Sequence, residues 1–204
     1  MAKALANTTT NRDHMETTVP VATFSIIGLS PLVMHNSQLA DPLNPHTKLL
    51  REYTSKRKKS DSDLEKMGEA EWRGGLYLDE DGHPCIPPEN IEMALIRAAM
   101  KNKMGEQFRS GVLALGNFKL KLPKRWNLES ASRDANFSLR KSKCVKRNRV
   151  MRVRPIFREW AADIAVQYDD SLVSEAEIRK VLELAGRIIG LGDERPRYGR
   201  FKVV

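Results

Sequence analysis

Gly190-Leu-Gly-Asp-Glu-Arg195-Pro-Arg-Tyr-Gly199-Arg-Phe-Lys-Val-Val204 reads as a helix exit, a glycine-rich loop and a final strand starting near Tyr198. Gly190 and Gly192 let the backbone take positive φ or come close to a partner. Pro196 stiffens the loop, and Arg195, Arg197 and Arg200 supply planar guanidinium forks matched to phosphate oxygens. The plainer reading is a helix C-cap and tight turn with solvated arginines. Just upstream, Ser174-Glu-Ala-Glu177 is a capping box. Behind it Ile178, Val181, Leu182, Ala185, Ile188 and Ile189 recur at helical spacing as a core stripe. Before that helix, Trp160, Ala162, Ile164 and Val166 keep a period of two, which predicts a strand over 156–168.

Nearer the start, Val21, Phe24, Ile26 and Ile27 mark a first strand within 19–29. Asn44-Pro45 opens a helix expected to bury Leu49, Leu50 and Tyr53. A charged break follows, then a second short helix from about 63 to 72. Residues 31–72 therefore read as an insertion, partly mobile. Residues 76–86 read as a hairpin bending at Asp81-Gly82. Pro87-Pro88 opens a helix with Ile91, Ala94, Leu95, Ala98 and Ala99 on one face, and 112–122 make a strand broken at Gly116. Without insertions the order is strand, helix, strand, strand, helix, strand. That order predicts an α+β chain with a ferredoxin-like or RRM-like βαββαβ core. Two helices would cover one face of a four-stranded antiparallel sheet, leaving the other face for a partner. Residues 1–18 read as a polar, mobile tail, and 19–204 as a single domain with large insertions at about 31–72 and 123–154.

The net charge is +9 over 204 residues, which favours a polyanion partner. Between 119 and 158 stand fourteen Lys/Arg against Glu129 and Asp134, a local +12 that leaves the remainder of the chain at −3. A surplus held in one segment points to phosphate contacts more than general basicity does. The expected backbone contacts are Lys124, Arg125, Arg140, Lys141, Lys143, Lys146, Arg147, Arg149, Arg152 and Arg154, with Arg195, Arg197 and Arg200. Arg149 to Arg154 alternate with Val150, Met151 and Val153 in part, as a ribbon with one cationic face would. Trp126 and Phe137 either stack on unpaired bases or pack the insertion on the core. Asp193 and Glu194 suit phosphate binding poorly and are expected to pair with Arg195 or Arg197.

The glycine loop 190–201 resembles the C-terminal glycine-rich loop of the RAMP superfamily of CRISPR proteins. Ile86-Pro-Pro-Glu-Asn-Ile-Glu-Met-Ala-Leu-Ile-Arg97 resembles that superfamily's proline-led helix ending in an arginine, with Pro88-Glu89-Asn90 replacing its Gly, Ser and Lys. Residues 26–35 are similar to its first strand and following loop. The resemblance implies the βαββαβ fold and a backbone subunit that oligomerises along guide RNA, clamping it with basic loops and a thumb-like insertion. It also implies other effector subunits as partners, and a phage or mobile-element relative fits as well.

No K/R-G-F/Y-G/A-F-V-x-F/Y run occurs, so the expected mode tracks the backbone of single-stranded RNA, or DNA, without reading bases on the sheet. The leading expectation is a non-catalytic protein. Some members of the resembled superfamily are guide-processing ribonucleases, and His35 is the candidate acid/base here, also placed near the bound strand. A phage single-stranded-DNA-binding protein and a structural assembly protein also fit the sequence. Cys85 and Cys144 stand far apart, and His14, His35, His46 and His83 form no ligand spacing, so no disulfide framework, metal or cofactor is expected. Acidic pairs at 79–81 and 169–170 are explained by turn chemistry. No apolar run reaches spanning length and no signal-peptide core is seen, so a cytoplasmic protein away from membranes is expected.

Overall fold

Alternation along β1 (Val21–Gly28) buries Ala22, Phe24 and Ile26 and turns Val21, Thr23 and Ile27 to solvent. The computed structural model describes residues 19–145 and 147–204; the tail 1–18 and the expected contact Lys146 lie outside the described residues. After β1 come β2 (Leu32–Val33), α1 (Pro45–Thr54), α2 (Asp61–Gly75), β3 (Cys85–Ile86) and α3 (Pro88–Ala99). Next follow α4 (Gly105–Gly111), β4 (Val112–Ala114), β5 (Phe118–Lys119), β6 (Ser138–Val145) and β7 (Asn148–Phe157). The chain closes with β8 (Ala161–Tyr168), α5 (Glu175–Leu184) and β9 (Phe201–Val203).

The chain is α+β. Its four-stranded sheet has the order β4-β8-β1-β9, antiparallel throughout. β1 and β4, joined through α3, are separated by β8. β8 and β9, joined through α5, are separated by β1. Under the helices Phe24, Ile26, Ala162, Ile164 and Val166 meet Ile91, Leu95 and Ala98 of α3 and Ile178, Val181 and Leu182 of α5. The opposite face exposes Val21, Thr23, Ile27, Leu113 and Asp163.

Several expected elements change shape. The run 156–168 is two strands, because the chain turns between Phe157 and Ala161. At the turn Trp160 donates its Nε1–H to the Ser30 carbonyl at 2.9 Å and covers Gly28 so closely that no Cβ fits there. Helix α2 runs further than expected at both ends, since Ser60 and Asp63, inside the expected charged break, form a capping box. On α1 Leu49 is exposed and Thr47 is the buried residue, so that helix covers little core. Past α5, residues 185–189 form a π-helical turn. The wider turn shifts the phase of the core stripe and leaves Ile188 exposed.

The two insertions pack on one another. Trp72 of α2 is fully buried and donates its Nε1–H to the Phe137 carbonyl at 2.8 Å. Its ring stacks on Trp126 at 6.2 Å, and Trp126 meets Phe137 at 5.1 Å and Phe157 at 5.3 Å. The end of 31–72 is thus part of the core.

Candidate nucleic-acid interface

Strands β6 and β7 pair from Ser138 opposite Pro155 to Val145 opposite Asn148, forming a long ribbon. Its base, from Val153 to Phe157, is buried, whereas Asn148 to Met151 near its turn are exposed. Arg147 turns the ribbon with φ 72°, the left-handed region. Arg147 and Arg149 therefore stand at an exposed tip, with Arg140 exposed lower down.

The glycine loop folds back against the segment after β1. Asp193 N–H donates to the Val33 carbonyl at 2.7 Å and Gly199 N–H to the Pro31 carbonyl at 2.8 Å. Gly192 has φ 74°, and a Cβ there would overlap the Val33 carbonyl oxygen. Gly190, at φ 77°, is nearest the Tyr198 carbonyl. The close approach foreseen for Gly190 and Gly192 is made to the chain itself.

Much of the basic surplus is already answered. Lys141 Nζ meets Glu194 at 2.6 Å, and Lys143 Nζ meets Asp193 at 3.0 Å and Glu194 at 3.1 Å. Arg154 pairs with Glu71 at 2.8 Å and Arg152 with Glu71 at 3.3 Å. The acids of the glycine loop thus bind the ribbon rather than Arg195 or Arg197. Burial, the largest single influence, pushes the Asp193 and Glu194 carboxyls up, but their hydrogen bonds and the charges of Lys143 and Lys141 together outweigh it, and both end below their ordinary values.

Four expected contacts need correction. Arg154 is 6% exposed and Phe137 3%, so neither has a face for a strand. Trp126 packs in the aromatic cluster instead of offering a stacking surface. Arg152 is half-buried against Glu71. Each fills space or balances charge where the two insertions meet. Arg125 is exposed, 3.8 Å from Glu159, and Lys124 is exposed beside it.

Besides the ribbon tip, open cations lie on the glycine loop. Arg195 is half-buried, and no carboxylate among the described residues reaches ion-pair distance of it. Burial and then the Arg97 charge lower its pKa, with Asp193 and Tyr77 opposing. Arg97, exposed near the end of α3, was not among the expected contacts. Its signal was the helix-ending arginine of segment 86–97. Arg197 lies 6.0 Å over the Tyr198 ring, and Arg200 is exposed with its Nε–H on the Pro196 carbonyl at 2.9 Å.

His35 opens to solvent, while its carbonyl accepts the Tyr77 hydroxyl at 3.1 Å. Desolvation on its protein side, then Arg154, hold the imidazole below its ordinary value, with Lys143 adding to this and Asp193 and Glu71 opposing. The folded state therefore resists protonating His35. Its contribution to stability is full above the unfolded value of about 6.5 and is lost as pH drops below that value. Thermal melts between pH 7.5 and 5.5 are expected to show wild-type stability falling, and His35→Gln falling less. An equal slope in both would remove His35 as the cause.

In the 79–83 turn, Asp79 accepts the N–H groups of Asp81 and His83 at 3.1 and 2.7 Å. Among the described residues no helix is long and apolar enough to cross a membrane. No protein-family model matches the chain, and no curated protein gives a significant match.

Proposed function

We propose that this chain binds the backbone of single-stranded nucleic acid, RNA first, without catalysis, and that copies oligomerise along the strand in the cytoplasm. The carrying observation is the set Arg195, Arg197 and Arg200 on the glycine loop, none of them at ion-pair distance from a carboxylate among the described residues, with the Arg97 charge also acting on Arg195. Like charges placed together favour an anion between them. The exposed ribbon tip with Arg147 and Arg149 gives a second contact, through which neighbouring copies would meet. The interleaved strand order supports a ferredoxin-like core, the plan that the RAMP resemblance implies.

A second reading is a structural assembly protein. The neutralised cations of the ribbon base and the open sheet face with Val21, Ile27 and Leu113 favour it. Fluorescence anisotropy on single-stranded RNA, single-stranded DNA and duplex DNA separates the two. Salt-sensitive affinity for a single strand that rises with its length is the expected result, and it names the polymer. No binding to any of the three at low salt would sink the proposal and leave the assembly reading.

A further inference from the structure

We infer that the cleft beside Tyr77 and the start of α3 takes one unstacked nucleobase carrying an exocyclic amino group. The inference rests on the strand-binding reading and adds a base subsite to it. The cleft has a volume of about 670 Å³, within the range of small-molecule sites. Tyr77 and Pro88 contribute ring surfaces to its wall; Ser37, Asn90 and Asn117 bring a hydroxyl and two carboxamides.

The charge of this wall argues against a phosphate as occupant. Among the described residues no Lys or Arg lines the cleft, and the carboxylate in its wall is Glu89. A carboxylate repels phosphate but accepts a hydrogen bond from an amino group such as cytosine N4. Uracil and thymine present a carbonyl oxygen at that place and are disfavoured. The planar occupant gains stacking on the rings, and the carboxamides can donate and accept at its edge. Asn90 stands at the Tyr77 hydroxyl, whose proton goes to the His35 carbonyl, so the hydroxyl oxygen faces the cleft as an acceptor.

The cleft also lies next to the open cations. Leu191 and Gly192 of the glycine loop line a small cavity with Tyr77 and Asn90, so the loop that carries Arg195 borders the cleft wall. One nucleotide would then span both features, its phosphate on Arg195 and Arg97 and its base in the cleft.

The test is anisotropy with oligocytidine, oligouridine and an abasic ribose-phosphate strand of equal length. Oligocytidine is expected to bind about tenfold more tightly than either of the others, from the stacking and hydrogen-bond contributions of one base. Glu89→Gln should bring cytidine and uridine together while the abasic strand binds at least as tightly as to wild type, which also reports that the variant is folded. Equal affinity for all three strands in the wild type would overturn the base subsite and leave backbone binding standing. Discrimination retained in full by Glu89→Gln would overturn it too. Failure of all three strands to bind would remove the strand-binding reading itself.

Discussion

Glu71→Ala is expected to destabilise the protein by about 3–5 kcal/mol, because it leaves a buried guanidinium without its counter-charge. The Glu71 and Arg154 side chains are only 6% and 7% exposed. Glu71 also accepts the Val153 N–H at 2.9 Å and faces Arg152 at 3.3 Å. One carboxylate therefore answers two guanidiniums and a backbone donor where α2 crosses β7. Without it, the carboxylate left to Arg154 among the described residues is Asp193, 3.7 Å from its Nε. Urea unfolding followed by tryptophan fluorescence measures the loss, since Trp72 and Trp126 sit in the neighbouring cluster. The double variant Glu71→Leu with Arg154→Leu should recover part of the stability, because apolar side chains avoid the desolvation cost of the pair while the buried Val153 N–H still loses its acceptor. A loss under about 1 kcal/mol in Glu71→Ala would mean that the pair behaves like an exposed surface bridge.

The same ion pairs mark the limit of what was legible in the chain. Local signals carried well: the capping box at Ser174, the helical stripe of α3 and the period of two in β8 all form as read. These depend on neighbours a few residues apart. Glu71 and Arg154 are 83 positions apart, and Lys141 and Glu194 are 53 apart, so no window of sequence places them together. The segment 119–158 looked like a free cationic surface because its counter-charges come from α2, the glycine loop and the sheet. Phe137 and Trp126 were ambiguous for the same reason, as their burial depends on Trp72 arriving from another insertion. The start of α2 was hidden differently: Ser60-Asp-Ser-Asp63 has the form of a capping box, and its charges masked the cap.

Two sets of charges near the glycine loop carry opposite expectations. Arg195, Arg197 and Arg200 have no carboxylate partner among the described residues, so converting all three to Ala removes cations that are free to meet phosphates. For single strands each phosphate contact contributes about 0.7 to the slope of log affinity against log salt, and three lost contacts flatten it by about 2. Lys141 and Lys143 are held by Asp193 and Glu194, so their charge is hidden from a strand. Asp193→Asn with Glu194→Gln frees both lysines, and binding to single-stranded RNA should strengthen, with a slope steeper by about 1.4. The fold should tolerate the exchange. The Asp193 carboxylate accepts the backbone N–H of Glu194 at 2.9 Å, and a carboxamide oxygen in its place can still accept the N–H of the next residue. Salt titrations of the two variants against wild type give changes of opposite sign if the glycine loop faces the strand. An unchanged slope in both would place the strand elsewhere, because neither adding nor removing cations at this loop would then be felt by the phosphates.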